Sequence, residues 1–336
     1  MAPCRTTPSG RRDPAREPGA RFVDPFTIRR RSQCCGFNPH EGPRNWCSAM
    51  TILLALSSSL MWGVADYFGG KISRGRSTVV VVLISQLAGL LIAAIVASMS
   101  GSFVAPTGYV PWAIGAGLAG ASAVLLFYQA LAIGTMGIVA PISALGVIIP
   151  VVIGVFSGVV PSALCLVGIV VAIGGVVVTA RPADAGVRTQ RHVLSILLAI
   201  GAAAGFGLLQ YAIAGGAAYS TVMTMVVMRC TSVPLLVLGT VLALRSRRQH
   251  HQPAQRFSMK VTALVVVIGF FDVSANLLFA QASVAGALSV VAVLGSLYPA
   301  ATVLLARIID HEKLSRLQNA GVLGAITGVA MIAAGS

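Results

Sequence analysis

Charged residues make up only 10% of this 336-residue chain and aromatic residues 6%, whereas a soluble domain carries about 25% charged residues. Too little polar surface remains to face water, and an ordinary soluble fold is excluded. The alternation of apolar and polar residues that marks a transmembrane barrel strand is missing too, which excludes a closed barrel. No phosphate-cradling loop of the Walker type occurs, so the chain has no signature for direct ATP coupling. Outside the first 49 residues only Cys165 and Cys230 remain, each inside an apolar run, so neither a disulfide framework nor a thiolate metal site is supported. The five histidines, His40, His192, His250, His251 and His311, all lie outside the apolar cores. No nucleophile and base pair of a membrane enzyme stands out, and no cofactor or metal is expected.

What is present in abundance is hydrocarbon: 56% hydrophobic residues and a mean hydropathy of +0.87. Apolar runs follow one another, each long enough to cross a hydrocarbon core of about 30 Å. Helices satisfy their own backbone in lipid, so the expected fold is an all-α integral membrane protein. Breaks at charge clusters, Gly and Pro give ten segments, at 51–70, 78–99, 109–132, 136–157, 163–180, 192–213, 220–244, 260–283, 286–308 and 315–335. Most connections are short, as antiparallel neighbours require.

The formal net charge of +15 is unevenly placed: residues 1–49 hold nine of the 24 Lys+Arg and four of the six Cys. This stretch has no apolar periodicity and no continuous signal-peptide core, so it reads as a disordered basic tail. Two readings stay open: translated upstream sequence, with the working protein starting at Met50, or a polybasic segment that binds membrane lipids. Elsewhere the positive charge lies almost wholly in loops, and a nucleic-acid partner is not expected.

A shift of roughly 144 to 153 residues superposes the second five segments on the first. Met61-Trp62-Gly63-Val64-Ala65-Asp66-Tyr67 aligns with Gly205-Phe206-Gly207-Leu208-Leu209-Gln210-Tyr211. In the third segment Ser122-Ala123-Val124-Leu125-Leu126-Phe127-Tyr128-Gln129 aligns with Ser274-Ala275-Asn276-Leu277-Leu278-Phe279-Ala280-Gln281. Leu145-Gly146 with Pro150 then matches Leu294-Gly295 with Pro299. Five segments per half is an odd number, so the halves, residues 50–182 and 183–336, are expected to enter the membrane from opposite sides as inverted repeats. Loop charge tests this separately. Lys71, Arg74 and Arg76 follow the first segment, while the aligned loop near 214–219 has none. The loop near 100–108 is bare, while its counterpart carries Arg245, Arg247, Arg248, Arg256 and Lys260. The loop near 158–162 is likewise bare against Arg307, Lys313 and Arg316. The positive-inside rule puts the basic loops, including Arg181, Arg188 and Arg191, in the cytoplasm and both ends of the ten-helix body outside.

These residues resemble the bacterial EamA-like permeases of the drug/metabolite transporter superfamily over about residues 51–335. The resemblance rests on Leu60-Met61-Trp62-Gly63-Val64-Ala65-Asp66-Tyr67, on Phe127-Tyr128-Gln129-Ala130-Leu131-Ala132-Ile133-Gly134 running into Val139-Ala140-Pro141, and on Ser296-Leu297-Tyr298-Pro299 followed by His311-Glu312-Lys313-Leu314-Ser315. One departure is that Val159-Val160-Pro161-Ser162 stands where the second half has Glu312-Lys313-Leu314-Ser315. The resemblance implies secondary transport of a small metabolite or toxic compound, commonly outward, by alternating access in a bacterial plasma membrane, with proton coupling as one energy source. Lipid-carrier translocation is the alternative among transporters; a nontransporting membrane enzyme or interaction protein is the alternative outside them.

Polar groups inside the apolar segments are the chemistry available. Arg229 lies about nine residues into the seventh segment and Asp272 about twelve into the eighth, so at ~1.5 Å per residue each is roughly 14 to 18 Å deep. Ionisable groups at such depth face a cavity or pair, and they mark substrate or ion routes. Arg229 and Asp272 are expected to anchor substrate or couple an ion, the alternative being a static bridge between two helices. Asn276, one turn beyond Asp272, shares its face. Gln86 aligns with Arg229, so the two halves are expected to present both to one cavity. Asp66 is a further candidate, with a headgroup-level pairing to Lys71 or Arg74 as its structural reading, and Trp62 either lines the cavity or packs. Tyr128, Gln129, Gln210 and Gln281 are structural or gating candidates near helix ends. Pro141, Pro150, Pro234 and Pro299 are expected to interrupt helices and free backbone carbonyls. Gly154 with Gly158, Gly201 with Gly205 and Gly324 with Gly328 have the small-xxx-small spacing that brings helices close within one chain; a monomer is the default, with a dimer left open.

Overall fold

The computed structural model describes residues 44–156, 162–179, 190–249, 257–285, 288–311 and 315–334. The chain divides into two compact units, Met1–Glu41 and Gly42–Ser336. The first unit, together with Gly158, Arg181, Arg188, His250, His251, Arg256, Glu312 and Lys313, lies outside the described residues.

Within the second unit the described elements are helical, joined by short turns. They are α1 (Arg44–Ser73), α2 (Thr78–Ser100), α3 (Val110–Ile133), α4 (Met136–Ala144), α5 (Ile148–Phe156), α6 (Ala163–Thr179), α7 (Gln190–Ala217), α8 (Thr221–Gln249), α9 (Met259–Ala285), α10 (Leu288–Gly295), α11 (Tyr298–Ile309) and α12 (Arg316–Ala334). Helix α2 stops because Gly101 takes a left-handed conformation, φ 62°, and turns its N–H back to the Ala97 carbonyl. Pro111 stands in the first turn of α3, where no amide donor is needed.

Six helical stretches are long and apolar enough to cross a membrane: Met50–Ser73, Thr78–Ser100, Thr107–Ile133, Gln190–Ala217, Thr221–Leu242 and Met259–Ala285. Shorter apolar helices span Met136–Pro150, Ala163–Gly175 and Tyr298–Ile309. The fourth and ninth apolar segments are each split in two. A 3₁₀ turn at Leu145–Val147 separates α4 from α5, and residues 296–297 separate α10 from α11. Pro150 and Pro299 fall just after these breaks, where a missing amide removes the bond that would carry the helix across. Pro141 and Pro234 correct the expectation of interruption: Pro141 lies inside α4, which continues to Ala144, and Pro234 inside α8, which continues to Gln249.

Packing follows small residues, as lipid solvent requires, since apolar surface gains little there by turning inward. Ala55, Ala113, Ala116, Ala123, Ala199, Ala275 and Ala280 are fully buried, while Leu91, Val170, Leu238 and Leu323 face outward. Helix α3 packs on α7 and α8, α9 on α1 and α2, α11 on α1, α4 on α7, α2 on α8, and α6 on α12. A Cβ on Gly205 would fall 2.7 Å from Ala123 Cβ, and one on Gly207 2.2 Å from the Gly146 carbonyl oxygen. The glycine spacings that fall on described residues therefore serve contacts within the chain.

Basic loops meet at one end of this bundle. Lys71 Nζ lies 2.5 Å from Asp310 Oδ1, Arg74 Nε donates to the Leu131 carbonyl at 3.2 Å, and the Arg76 guanidinium sits 5.1 Å from the Phe257 ring centre. The loops following α2 and α7 meet at the other end, where a Cβ on Gly108 would fall 2.4 Å from the Tyr219 ring. Burial alone would raise the Asp310 carboxyl, but hydrogen bonds from Lys71 and Tyr67, with the charges of Lys71 and Arg74, outweigh it and hold the group below the ordinary carboxylate range. A depressed folded-state value means that the stabilisation is complete above the unfolded value of about 3.9 and is lost as pH falls below it. Lys71 is 41% exposed, so the pair is screened. Asp310→Asn is expected to lower stability by only about 0.2–1 kcal/mol at neutral pH. Unfolding midpoints of the two proteins, followed as pH falls toward about 3, should converge.

Candidate functional site

Three long helices bring the deep polar residues together. Helix α8 carries Arg229 and, one turn on, Ser232; α9 carries Asp272 and Asn276 four residues apart; α2 carries Gln86. These spacings put each pair on one helix face, turned inward. Arg229 Nη2 donates to Asp272 Oδ2 at 2.7 Å, and Arg229 Nη1 donates to Gln86 Oε1. The Ser232 hydroxyl donates to the same Gln86 oxygen at 3.2 Å. Asn276 Nδ2 reaches Asp272 Oδ1 at 3.2 Å and the Asp272 carbonyl at 2.6 Å. Both carboxylate oxygens of Asp272 are thus engaged, one by a cation and one by an amide.

Burial makes this network strong and costly to break. Arg229 is 3% exposed, Gln86 and Asn276 2% each, and the Asp272 side chain 16%. Two polar atoms in it have no hydrogen-bond partner among the described residues, Arg229 Nε and Asn276 Oδ1. The network borders a small pocket whose other wall is α3, at Ala116, Gly117, Gly120, Ala121 and Val124, with Leu209 and Met228. Glycine lets α3 come close: a Cβ on Gly117 would fall 2.5 Å from the Met228 carbonyl oxygen. Both atoms are fully buried, and Arg229 Nε lies toward Gly89 of α2, where a Cβ would fall 3.3 Å from it.

The other candidate residues are placed as follows. Asp66 is 7% exposed and pairs with neither Lys71 nor Arg74, which bond Asp310 and the carbonyls of Leu131 and Gly134 instead. Its headgroup-level reading is therefore corrected to a buried position. Tyr128 is no headgroup anchor either: it is buried, its ring lies over Gly69, and its hydroxyl donates to the Ala65 carbonyl at 3.2 Å. Gln129 is exposed, with Oε1 accepting from the Thr78 hydroxyl at 2.9 Å. Gln281 is exposed, and Gln210 is buried with Oε1 unpartnered. Trp62 is buried, its ring centre 5.5 Å from Phe279 and 6.4 Å from Tyr298. Pro141 and Pro299 are buried and Pro150 half-buried, all at the split helices. Among the described residues no group of three or more His, Cys, Asp or Glu is placed to hold a metal.

Sequence reasoning missed Ser232, although its spacing of three from Arg229 places it on the same face. It also missed Tyr298 and Ser143, whose hydroxyls lie 2.8 Å apart in the buried core. No spacing relates that pair, since 155 residues separate them.

The model of the EamA-like transporter family matches residues 193–334. No curated protein matches the chain. Twenty-two chains of solved structures match. One of them, described only as "Crystal structure of protein", superposes with a TM-score of 0.60 at 16% identity, covering 84% of this chain and 96% of that chain. At that identity the likeness speaks for the fold alone, and it extends well beyond the family-matched residues.

Proposed function

We propose that this chain, a multi-pass membrane protein whose residues 193–334 match the model of the EamA-like transporter family, is a secondary transporter of that family, exporting a small metabolite or toxic compound by alternating access. The observation that carries this reading is the Arg229, Asp272, Gln86 and Asn276 network, buried beside a pocket between membrane-length helices. A charged network so far from water is retained at a cost, and the usual return is a substrate or ion route.

Ten crossings in two inverted five-helix repeats, residues 50–182 and 183–336, are the architecture we assign to it. The pattern of packing supports this. If α1 exchanges with α7, α2 with α8, and α3 with α9, the α3–α7 contact becomes α9–α1, and α3–α8 becomes α9–α2. A Cβ on Gly117 would fall 2.5 Å from Met228 O and one on Gly269 2.3 Å from Ser85 O, the same close approach under that exchange. A site between such repeats can be opened to either side by rocking one half against the other. Collection of Lys71, Arg74 and Arg76 with Phe257 and Asp310 at one end supports a cytoplasmic face there, in a bacterial plasma membrane, with both ends of the ten-helix body outside. The working unit is a monomer, because the small-residue contacts are used within the chain.

Flux through the full chain in proteoliposomes tests the reading, with small amino acids, cationic toxicants and sugar-like metabolites offered with and without a pH gradient. Saturable, gradient-driven flux of one class is expected. Asp272→Asn is expected to abolish it while folded protein remains in the membrane. Unchanged flux in that variant removes Asp272 from the mechanism; no flux of any class, with lipid flipping instead, replaces export with lipid-carrier translocation.

A further inference from the structure

Asp66 is buried in α1 yet makes no hydrogen bond or ion pair with any described residue. The cations that could neutralise it are committed elsewhere: Lys71 to Asp310 and the Tyr67 hydroxyl, Arg74 to backbone carbonyls, and Arg229 to Asp272 and Gln86. The titratable groups facing it add no positive charge. Asp272 of α9, Tyr128 of α3 and Tyr298 of α11 lie within electrostatic reach. Tyr128 is occupied by the Ala65 carbonyl and Tyr298 by Ser143. Arg307, the other ionisable residue of α11, bonds Asn319, and the remaining neighbours α2 and α10 contain no titratable residue. A carboxylate only 7% exposed and without a counter-charge among the described residues is disfavoured, and such a group holds a proton instead.

Resting on the transporter reading above, we propose that Asp66 is the proton carrier of the transport cycle, separate from the Arg229–Asp272 pair that anchors substrate. In the arrangement described here Asp66 is the neutral acid. When alternating access brings water to Asp66 from one side, the O–H bond breaks, the proton passes to water and the carboxylate remains. Closure then requires a proton from the water of the other side. Arg229 and Asp272, by contrast, hold each other at 2.7 Å.

The repeat alignment adds a second reason. At the position aligned with Asp66 stands Gln210, also buried and with Oε1 unpartnered. A neutral amide is thus tolerated in an equivalent setting, and only one half of the protein carries a titratable group there. One proton per cycle follows, and so does a folded Asp66→Asn variant.

Infrared spectroscopy of the full chain in lipid nanodiscs at neutral pH tests this without knowledge of the substrate. The carbonyl stretch of a neutral carboxylic acid is expected in the wild type, absent in Asp66→Asn, and displaced in Asp66→Glu. No such band in the wild type, or a band untouched by Asp66→Asn, overturns the proposal. Should Asp66→Asn fail to fold, a band that does not move in Asp66→Glu overturns it equally. In proteoliposomes, Asp66→Asn is expected to keep substrate exchange and lose its response to the pH gradient; undiminished gradient-driven flux overturns the coupling role. A wild type that shows the band but no flux leaves Asp66 protonated and removes the transporter reading, and the coupling role with it.

Discussion

Arg229→Met is expected to lower stability by about 3–5 kcal/mol, the cost of leaving a buried charge without its partner, and to abolish flux. The substitution keeps an unbranched side chain of similar length, so little volume is lost. What is lost is charge: Asp272 Oδ2 keeps no cation, and only Asn276 remains at Oδ1. Gln86 Oε1 is affected less, because Ser232 still donates to it. The informative comparison is the double variant Arg229→Met with Asp272→Leu. Replacing both members of a buried pair by apolar groups is often neutral or stabilising by about 1–4 kcal/mol, so unfolding midpoints in detergent should return to the wild-type value or above. Flux should not return, because the apolar pair offers substrate no charge to bind. If flux recovers along with stability, Arg229 and Asp272 form a static bridge between α8 and α9 and nothing more. Measuring both quantities on the same preparations separates the two roles.

Gly328→Ala is expected to destabilise the protein by about 1–3 kcal/mol, the range for forced overpacking, although only one methyl is added. A Cβ on Gly328 would fall 2.2 Å from the Ala172 amide nitrogen and 2.6 Å from its Cα. Both obstacles are backbone, so no rotamer change relieves the clash, and α6 and α12 must separate. Gly175 faces α12 in the same way, 2.3 Å from the Ala325 amide nitrogen, whereas Gly174 meets nothing within 4 Å. Gly174→Ala is the control: on α6, one residue from Gly175 and away from the contact with α12, it should be neutral or stabilising by about 0.5–1 kcal/mol. Equal midpoints for Gly328→Ala and the wild type contradict the close approach of these helices.

Much of the architecture was legible because lipid imposes a simple code. The segment expected at 78–99 is the helix Thr78–Ser100, and that expected at 163–180 is Ala163–Thr179. Continuous apolar runs bounded by Gly, Pro or charge leave few alternatives when every backbone group must be satisfied internally. The position of Arg229, Asp272 and Gln86 within the long helices was legible for the same reason, since residue count converts directly to distance along a helix. Less legible was what each helix does in its middle: Pro234 leaves α8 continuous, while the 3₁₀ turn at Leu145–Val147 splits its segment between two prolines.

Local spacing misled where a distant segment offered a better partner. Lys71, five residues from Asp66, takes Asp310, 239 residues away, because their loops meet at the same end of the bundle. Tyr128, near the end of α3, turns inward because Gly69 leaves room for its ring. By itself the sequence determined that this protein is a multi-pass membrane protein and where most of its helices run, since hydrophobicity and length are properties of the chain. Tertiary structure alone decided which polar groups pair and which are left over: Arg229 with Asp272 and Gln86, and Asp66 with no hydrogen-bond partner among the described residues. Those outcomes depend on helix rotation and on approach between residues up to hundreds of positions apart, which periodicity along one helix does not encode.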